Sequence, residues 1–240
     1  MTSPKMGLTY RDSYKRRSYV LRKVLVVLLG YLLLTSFFIE TWRLETDSMR
    51  PGYSAGSLFF VHPYLLRAKD GTLKFPPDRG DFIVFRPPYM EVQPWYLRIV
   101  DSLIRLMTFQ TLKLSSFSRE EWENGLMFKR VIAIPGDTIR IEKSIAYIKG
   151  MGEDFFISEF EASGIAYDLI SEVLPEGWTS LMPLSGDMNA IVLGEDEYFI
   201  LGDNRAGSND SRYWGTVTSD AFYGRVLLSY WPPSSFGEIQ

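Results

Sequence analysis

The chain has 240 residues, 46% of them apolar and 15% aromatic, with no cysteine and a single histidine, His62. That composition supports a sizeable core and excludes a disulfide framework, a thiol nucleophile and a Cys- or His-rich metal cluster. The net charge of −3 is unevenly spread: residues 1–23 hold seven cations (Lys5, Arg11, Lys15, Arg16, Arg17, Arg22, Lys23) against Asp12, a balance of +6 that leaves −9 on the rest. A basic tail on an acidic body speaks against a nucleic-acid partner, which would need a basic folded surface.

Val24 to Ile39 is an uncharged run of sixteen residues. As a helix it spans roughly 24 Å, and counting Tyr19 to Leu21 brings it to the thickness of a bilayer's hydrocarbon core. Arg22 and Lys23 can snorkel at one end and Trp42 can sit in the interface at the other. Residues 24–42 are therefore read as a transmembrane anchor. A buried core helix is the bland alternative. A cleaved signal peptide is the sharper one, but Glu40, Thr41, Trp42 and Arg43 supply no small-x-small site. Because the Lys/Arg excess precedes the helix, residues 1–23 are predicted to be a cytoplasmic tail, with everything after residue 42 on the outer side.

Residues 43–240 read as one β-rich domain, since short apolar runs alternate with Gly/Pro punctuation. The predicted strands are Leu58–His62, Phe82–Phe85, Arg130–Ile134, Thr138–Glu142, Ile145–Lys149, Ile191–Leu193, Tyr198–Leu201 and Arg225–Tyr230. Lys143-Ser144 predicts a hairpin turn between the fourth and fifth of these. Within residues 86–128 the pattern turns helical. Pro94 can open an amphipathic helix through Met107, which either packs on the sheet or lies on a bilayer. Ser118-Arg119-Glu120-Glu121 has capping-box form and predicts a second, shorter helix.

Two residues along the chain carry nucleophilic chemistry only if they meet. Ser48 lies in Thr46-Asp47-Ser48-Met49-Arg50-Pro51, where a serine is by default a turn residue. Lys129 heads the run Lys129-Arg130-Val131-Ile132-Ala133-Ile134-Pro135-Gly136-Asp137, where a lysine is by default an exposed edge charge. A serine hydroxyl needs a base, and a lysine amine serves only if burial lowers its pKa from about 10.4. Val131, Ile132 and Ile134 are apolar neighbours in sequence that could provide that burial. A triad built on His62 would leave Lys129 without a role. The polar loop Gly202-Asp203-Asn204-Arg205-Ala206-Gly207-Ser208-Asn209-Asp210-Ser211-Arg212-Tyr213-Trp214-Gly215 follows directly on the apolar run Tyr198–Leu201. It is either a solvated turn or a set of polar groups held in a fixed place.

These segments, with Gly80-Asp81-Phe82-Ile83-Val84-Phe85, resemble in their order the signature segments of bacterial type I signal peptidases, the membrane-bound Ser/Lys proteases that remove signal peptides. The resemblance implies a mainly β, signal-peptidase-like catalytic sheet domain with an N-terminal transmembrane helix and a helical insert at 86–128. It implies Ser48 as nucleophile, Lys129 as general base, and the Ser48 backbone N–H with the Thr46 hydroxyl as the oxyanion hole. Ser208 would orient the lysine, Gly202 would let backbone approach it, and Asp203 and the pair Asp210 and Arg212 would support the site, with no metal or cofactor. Exported preproteins cut after Ala-x-Ala-like sites would be the substrates. The lipid bilayer and the secretion translocon are the further expected partners, and a single-pass location in a bacterial inner membrane with a periplasmic or extracellular catalytic domain is expected. The sequence departs from the family at Gly52, Ser57 and Ala133 and in the length of 86–128. A relative restricted to few substrates, such as conjugation pilins, and a catalytically silent anchored binding protein are the alternatives. The second of these would require the loss of Ser48, Lys129 or Ser208, and all three are present.

Overall fold

The computed structural model describes residues 17–30, 40–63, 73–87, 126–171 and 186–239, together with Lys15, Val100 and Ile104. Two antiparallel sheets make up the body. The larger runs in the order β1 (Glu40–Arg43), β2 (Leu58–Pro63), β11 (Phe222–Trp231), β3 (Phe82–Phe85), β4 (Met127–Ala133), β9 (Glu197–Leu201) and β10 (Val217–Thr218), with β12 (Gly237–Glu238) paired to β11. The smaller runs β7 (Ile157–Ser158), β6 (Ile145–Lys149), β5 (Thr138–Glu142) and β8 (Met188–Val192).

The residue pattern of each strand explains its position. β3 is apolar throughout and buried at every residue, so it is covered on both faces. Its alternate side chains divide between two cores. Phe82 and Val84 join Leu44, Met49, Tyr53, Phe59 and Phe128 on one face, while Ile83 and Phe85 join Val131, Tyr198 and Ile200 on the other. On the first face the rings of Tyr53, Phe59 and Phe82 stand 5.1 to 5.6 Å apart, contacts worth about 0.5–1.5 kcal/mol each beyond burial. β5 and β6 instead alternate buried and half-exposed residues, as strands with one covered face do. Ile139, Ile141, Ala146 and Ile148 on that covered face pack with Ile132, Phe199 and Leu201 of the large sheet, which seats the small sheet on β4 and β9. The predicted hairpin between β5 and β6 is present. Lys143 and Ser144 take φ of +50° and +68°, the left-handed conformation that suits a two-residue turn to strand twist.

Three expectations need correcting. Residues 40–42, read as the outer end of the anchor, are strand β1, paired with β2 from Glu40↔Val61 onward. The Glu40 carboxylate accepts from the Trp42 indole at 2.9 Å and from the Tyr223 hydroxyl at 2.6 Å, so Trp42 packs on Tyr223 as part of the sheet. The alternation of Glu40, Trp42 and Leu44 is a strand pattern that the adjoining apolar run masked. Second, β4 starts at Met127, so Lys129 is its third residue rather than its head. Third, β11 runs from Phe222 to Trp231, longer than predicted, with register breaks against β2 that bend it.

Residues 17–30 are helical, and the rest of the apolar run lies outside the described residues. No helix among the described residues is long and apolar enough to cross a membrane. The helices predicted from Pro94 and Ser118 also lie outside them, except that Val100 and Ile104 are helical.

Candidate active site

Ser48 sits in a tight turn directly after β1. Met49 anchors that turn by inserting into the aromatic core, Arg50 N–H donates to Asp47 O at 3.3 Å, and Tyr53 N–H donates to Met49 O at 2.9 Å. A fully buried residue next to exposed Asp47 leaves Ser48 at the boundary, 5% exposed. The Thr46 hydroxyl donates to Ser48 Oγ at 3.1 Å. The Ser48 backbone N–H makes no hydrogen bond among the described residues.

Lys129 lies in the middle of the large sheet, between neighbours β3 and β9. It pairs with Ile83, so it shares a face with Ile83 and, two residues on, Val131. The edge-charge reading fails on topology, because β4 has strands on both sides and Lys129 is only 2% exposed. Burial lowers its pKa to about 8, and Arg212 pushes the same way. Asp210 and Asp203 oppose the fall without cancelling it. A change from 10.5 to about 8 is a bias of about 3 kcal/mol against the ammonium.

The loop after β9 reaches the Ser48 turn and Arg130, the residue after Lys129. A Cβ on Gly202 would overlap the Ser208 side chain and come within 2.6 Å of the Ser48 carbonyl oxygen. No other residue type fits where these three segments cross. Asn204 N–H donates to Ser48 O at 3.0 Å, and its side-chain amide donates to Asp47 O at 3.1 Å. The Ser208 hydroxyl is buried without a hydrogen-bond partner among the described residues. Asp210 accepts from Gly202 N–H at 3.2 Å and caps the short helix Ser211–Trp214 through Arg212 N–H. It also pairs with the Arg212 guanidinium at 2.8 Å. Arg212 in turn donates to the carbonyls of Arg205 (2.8 Å) and Ser208 (3.4 Å), closing the loop on itself.

Asp203 pairs with Arg130, adjacent to Lys129 in β4, through hydrogen bonds of 3.0 and 2.8 Å. The Arg130 guanidinium also donates to Gly80 O at 3.0 Å and lies 3.9 Å over the Tyr167 ring. Thr46, Ser48, Gly202, Asp203, Ser208, Asp210 and Arg212 are thus tied to one another and to β4 by direct contacts. Lys129 meets the group through the charges of Asp203, Asp210 and Arg212. His62 stands apart on β2, paired with Arg225. β11 and β3 intervene between β2 and β4, a separation of about 14 Å at ordinary strand spacing.

Arg130, Arg205, Glu159 and Tyr167 do not stand out as functional residues in the sequence. Arg130 carried the only available signal. Two consecutive cations in a strand that is otherwise apolar require counter-charges from elsewhere in the fold, and the loop after β9 holds Asp203 and Asp210.

A family model described as "Signal peptidase, peptidase S26" matches residues 16–231. The chain belongs to this family. It is a serine peptidase of the signal peptidase I type, hence a hydrolase. A probable signal peptidase I-1 of Synechocystis sp. is 27% identical over 219 residues, which is 90% of this chain and 83% of that protein. A probable signal peptidase I-2 of the same organism is 23% identical over 202 residues, 84% of this chain and 67% of that protein. The signal peptidase I of Rickettsia bellii is 28% identical over 224 residues, 82% of this chain and 65% of that protein. The chain thus spans about two thirds of the length of the last two.

Proposed function

We propose that this chain removes N-terminal signal peptides from exported preproteins at Ala-x-Ala-like sites, with Ser48 as nucleophile and Lys129 as general base. The observation that carries the proposal is the crossing at Gly202, where the Ser48 carbonyl and the Ser208 side chain converge in the loop whose Asp203, Asp210 and Arg212 charges act on buried Lys129, of pKa about 8. In the first step the neutral Lys129 amine takes the proton from Ser48 Oγ as that oxygen bonds to the scissile carbonyl carbon. The negative charge that develops on the carbonyl oxygen is met by the Ser48 N–H and by the Thr46 hydroxyl, which turns towards it from Ser48 Oγ. The Lys129 ammonium then protonates the departing amine, leaving an acyl-serine ester. Lys129 next takes a proton from water as that water attacks the ester, and returns it to Ser48 Oγ as the acyl C–O bond breaks, so the acid product leaves with the Ser48 hydroxyl and the neutral amine restored.

Each neighbour has a part in this cycle. In the working cycle the Ser208 hydroxyl, which has no partner among the described residues, would accept from the lysine and aim its lone pair at Ser48. Gly202 permits the approach, while Asp203, Asp210 and Arg212 hold the loop that carries Ser208. The apolar run 24–39 is the membrane anchor in this reading, with the basic tail cytoplasmic and the sheets on the outer side. Ser48 then lies nine residues beyond the run, at most about 30 Å of chain. The nucleophile works close to the bilayer and to preproteins leaving the secretion translocon.

The experiment is cleavage of a preprotein by the full chain in lipid, wild type beside Ser48→Ala and Lys129→Ala. Product cut at an Ala-x-Ala site by wild type alone is expected. Undiminished cutting by either variant removes that residue from the mechanism.

A further inference from the structure

Beyond the residues already given roles, one buried charged cluster joins the small sheet to the loop that carries the site. Glu159 opens the short helix Glu159–Ser163, whose capping box of Ser158 and Glu161 fixes its start. The Glu159 side chain points inward and is buried. One of its oxygens accepts from Ala146 N–H at 2.9 Å. The other accepts from the Tyr167 hydroxyl at 2.6 Å and from the Arg205 guanidinium at 2.5 Å.

Arg205 uses the rest of its fork on backbone. Its Nε donates to Gly202 O at 2.9 Å and one Nη donates to Ser144 O, in the β5–β6 turn, at 2.7 Å. Burial works against the guanidinium's charge, and Glu159, with Tyr167 and Asp203, more than offsets that. The neighbouring residue, Asn204, holds the Ser48 carbonyl through its own N–H. Arg205 therefore grips the carbonyl of the glycine at which Ser48 and Ser208 meet, and Glu159 grips Arg205.

We infer that Glu159 is a positioning residue for the Ser48/Lys129 pair, acting through Arg205 on Gly202 and Asn204 to fix the distance between Ser48 and the Ser208 loop. This inference rests on the proposed roles of Ser48 and Lys129. The small sheet is thereby more than a cover for β9, because its helix and its hairpin turn supply the two groups that lock Arg205 in place. Lysine at 205 could not substitute, since a point charge cannot hold two carbonyls and a carboxylate in one plane. Tyr167 steadies the same Glu159 oxygen and stacks under Arg130, so both arginines beside the site lean on one residue of the small-sheet segment.

The test compares the full chain in lipid vesicles with Glu159→Gln, Tyr167→Phe and Ser48→Ala. A peptide with an Ala-x-Ala site serves as substrate, and kcat and KM are measured separately and normalised to folded protein by near-UV circular dichroism. Glu159→Gln is expected to lower kcat by at least 10-fold with KM within 2-fold of wild type. Tyr167→Phe, which removes a single hydroxyl, should lower kcat, normalised to folded protein, by 2- to 5-fold. A purely structural role would reduce the folded fraction and leave normalised kcat unchanged, and that result overturns the inference. If Glu159→Gln does not fold, an unchanged kcat in Tyr167→Phe overturns it alone. Ser48→Ala as active as wild type removes the nucleophile and this inference with it. An inactive Ser48→Ala beside a fully active Glu159→Gln removes only the role of Glu159.

Discussion

Arg130 and Asp203 face each other through two hydrogen bonds of 3.0 and 2.8 Å, with both side chains almost wholly buried. One neighbours Lys129 and the other neighbours Gly202, so this pair sets how the loop after β9 sits against β4. Asp203→Ala leaves a guanidinium buried without its partner, which costs about 3–5 kcal/mol. The expected outcome is a lower denaturant midpoint together with lost activity. Exchanging both Arg130 and Asp203 for apolar residues of similar volume should recover much of the stability and none of the activity.

Lys129 carries the opposite relation between stability and function. Its folded pKa of about 8 lies below the unfolded value near 10.5, so the unfolded chain binds the proton more tightly. Folding therefore bears a penalty of about 3 kcal/mol below pH 8, and the penalty fades as pH rises towards 10.5. Lys129→Met should abolish cleavage and raise unfolding free energy at pH 7. The gain should shrink steadily between pH 8 and 10.5, as equilibrium denaturation at several pH values will show. A stability difference that is the same at pH 7 and pH 10 contradicts the buried-amine account.

Gly202→Ala places a methyl group into the Ser208 side chain and against the Ser48 carbonyl. Activity should fall by roughly 100-fold or more, since misplacing reacting groups by about 1 Å has that effect. Steady-state kinetics on a signal-peptide substrate measures it, and activity within 2-fold of wild type would sink the crossing at Gly202 as the organising feature.

Thr46→Val keeps the shape of the side chain and removes the hydroxyl. As loss of one oxyanion donor, it should lower kcat roughly 100-fold or more with little effect on KM. Thr46→Ser should retain most of the rate. Ser208→Ala removes a buried hydroxyl that lacks a partner among the described residues. Its folding stability should be nearly unchanged while kcat falls up to roughly 100-fold.

Strand periodicity made most of the sheet legible. Phe82–Phe85, Thr138–Glu142 and Ile145–Lys149 form as predicted, because each is an apolar or alternating run with turn residues at its ends. β1 was not legible, since its half-buried residues adjoin the apolar run and its partner β2 lies fifteen residues further on. Ser48, Lys129 and the loop from Gly202 stood out as motifs. The facing of Lys129 came only with β4's place between β3 and β9, which no local pattern gives. Glu159 and Tyr167 were invisible for a related reason. A glutamate at a helix start reads as a cap on the surface, and its burial depends on Arg205 arriving from another part of the chain.

The proposed mechanism requires a buried lysine with a pKa of about 8 to activate Ser48. The most direct measurement is the pH dependence of kcat/KM for a signal-peptide substrate, which reports the ionisation of the free enzyme's base. An acid limb with apparent pKa of about 8, absent in Lys129→Ala because that variant is inactive, is the predicted result. A limb near 6.5, the range of an ordinary imidazole, that persists in an active Lys129→Ala enzyme would contradict it and turn attention to His62.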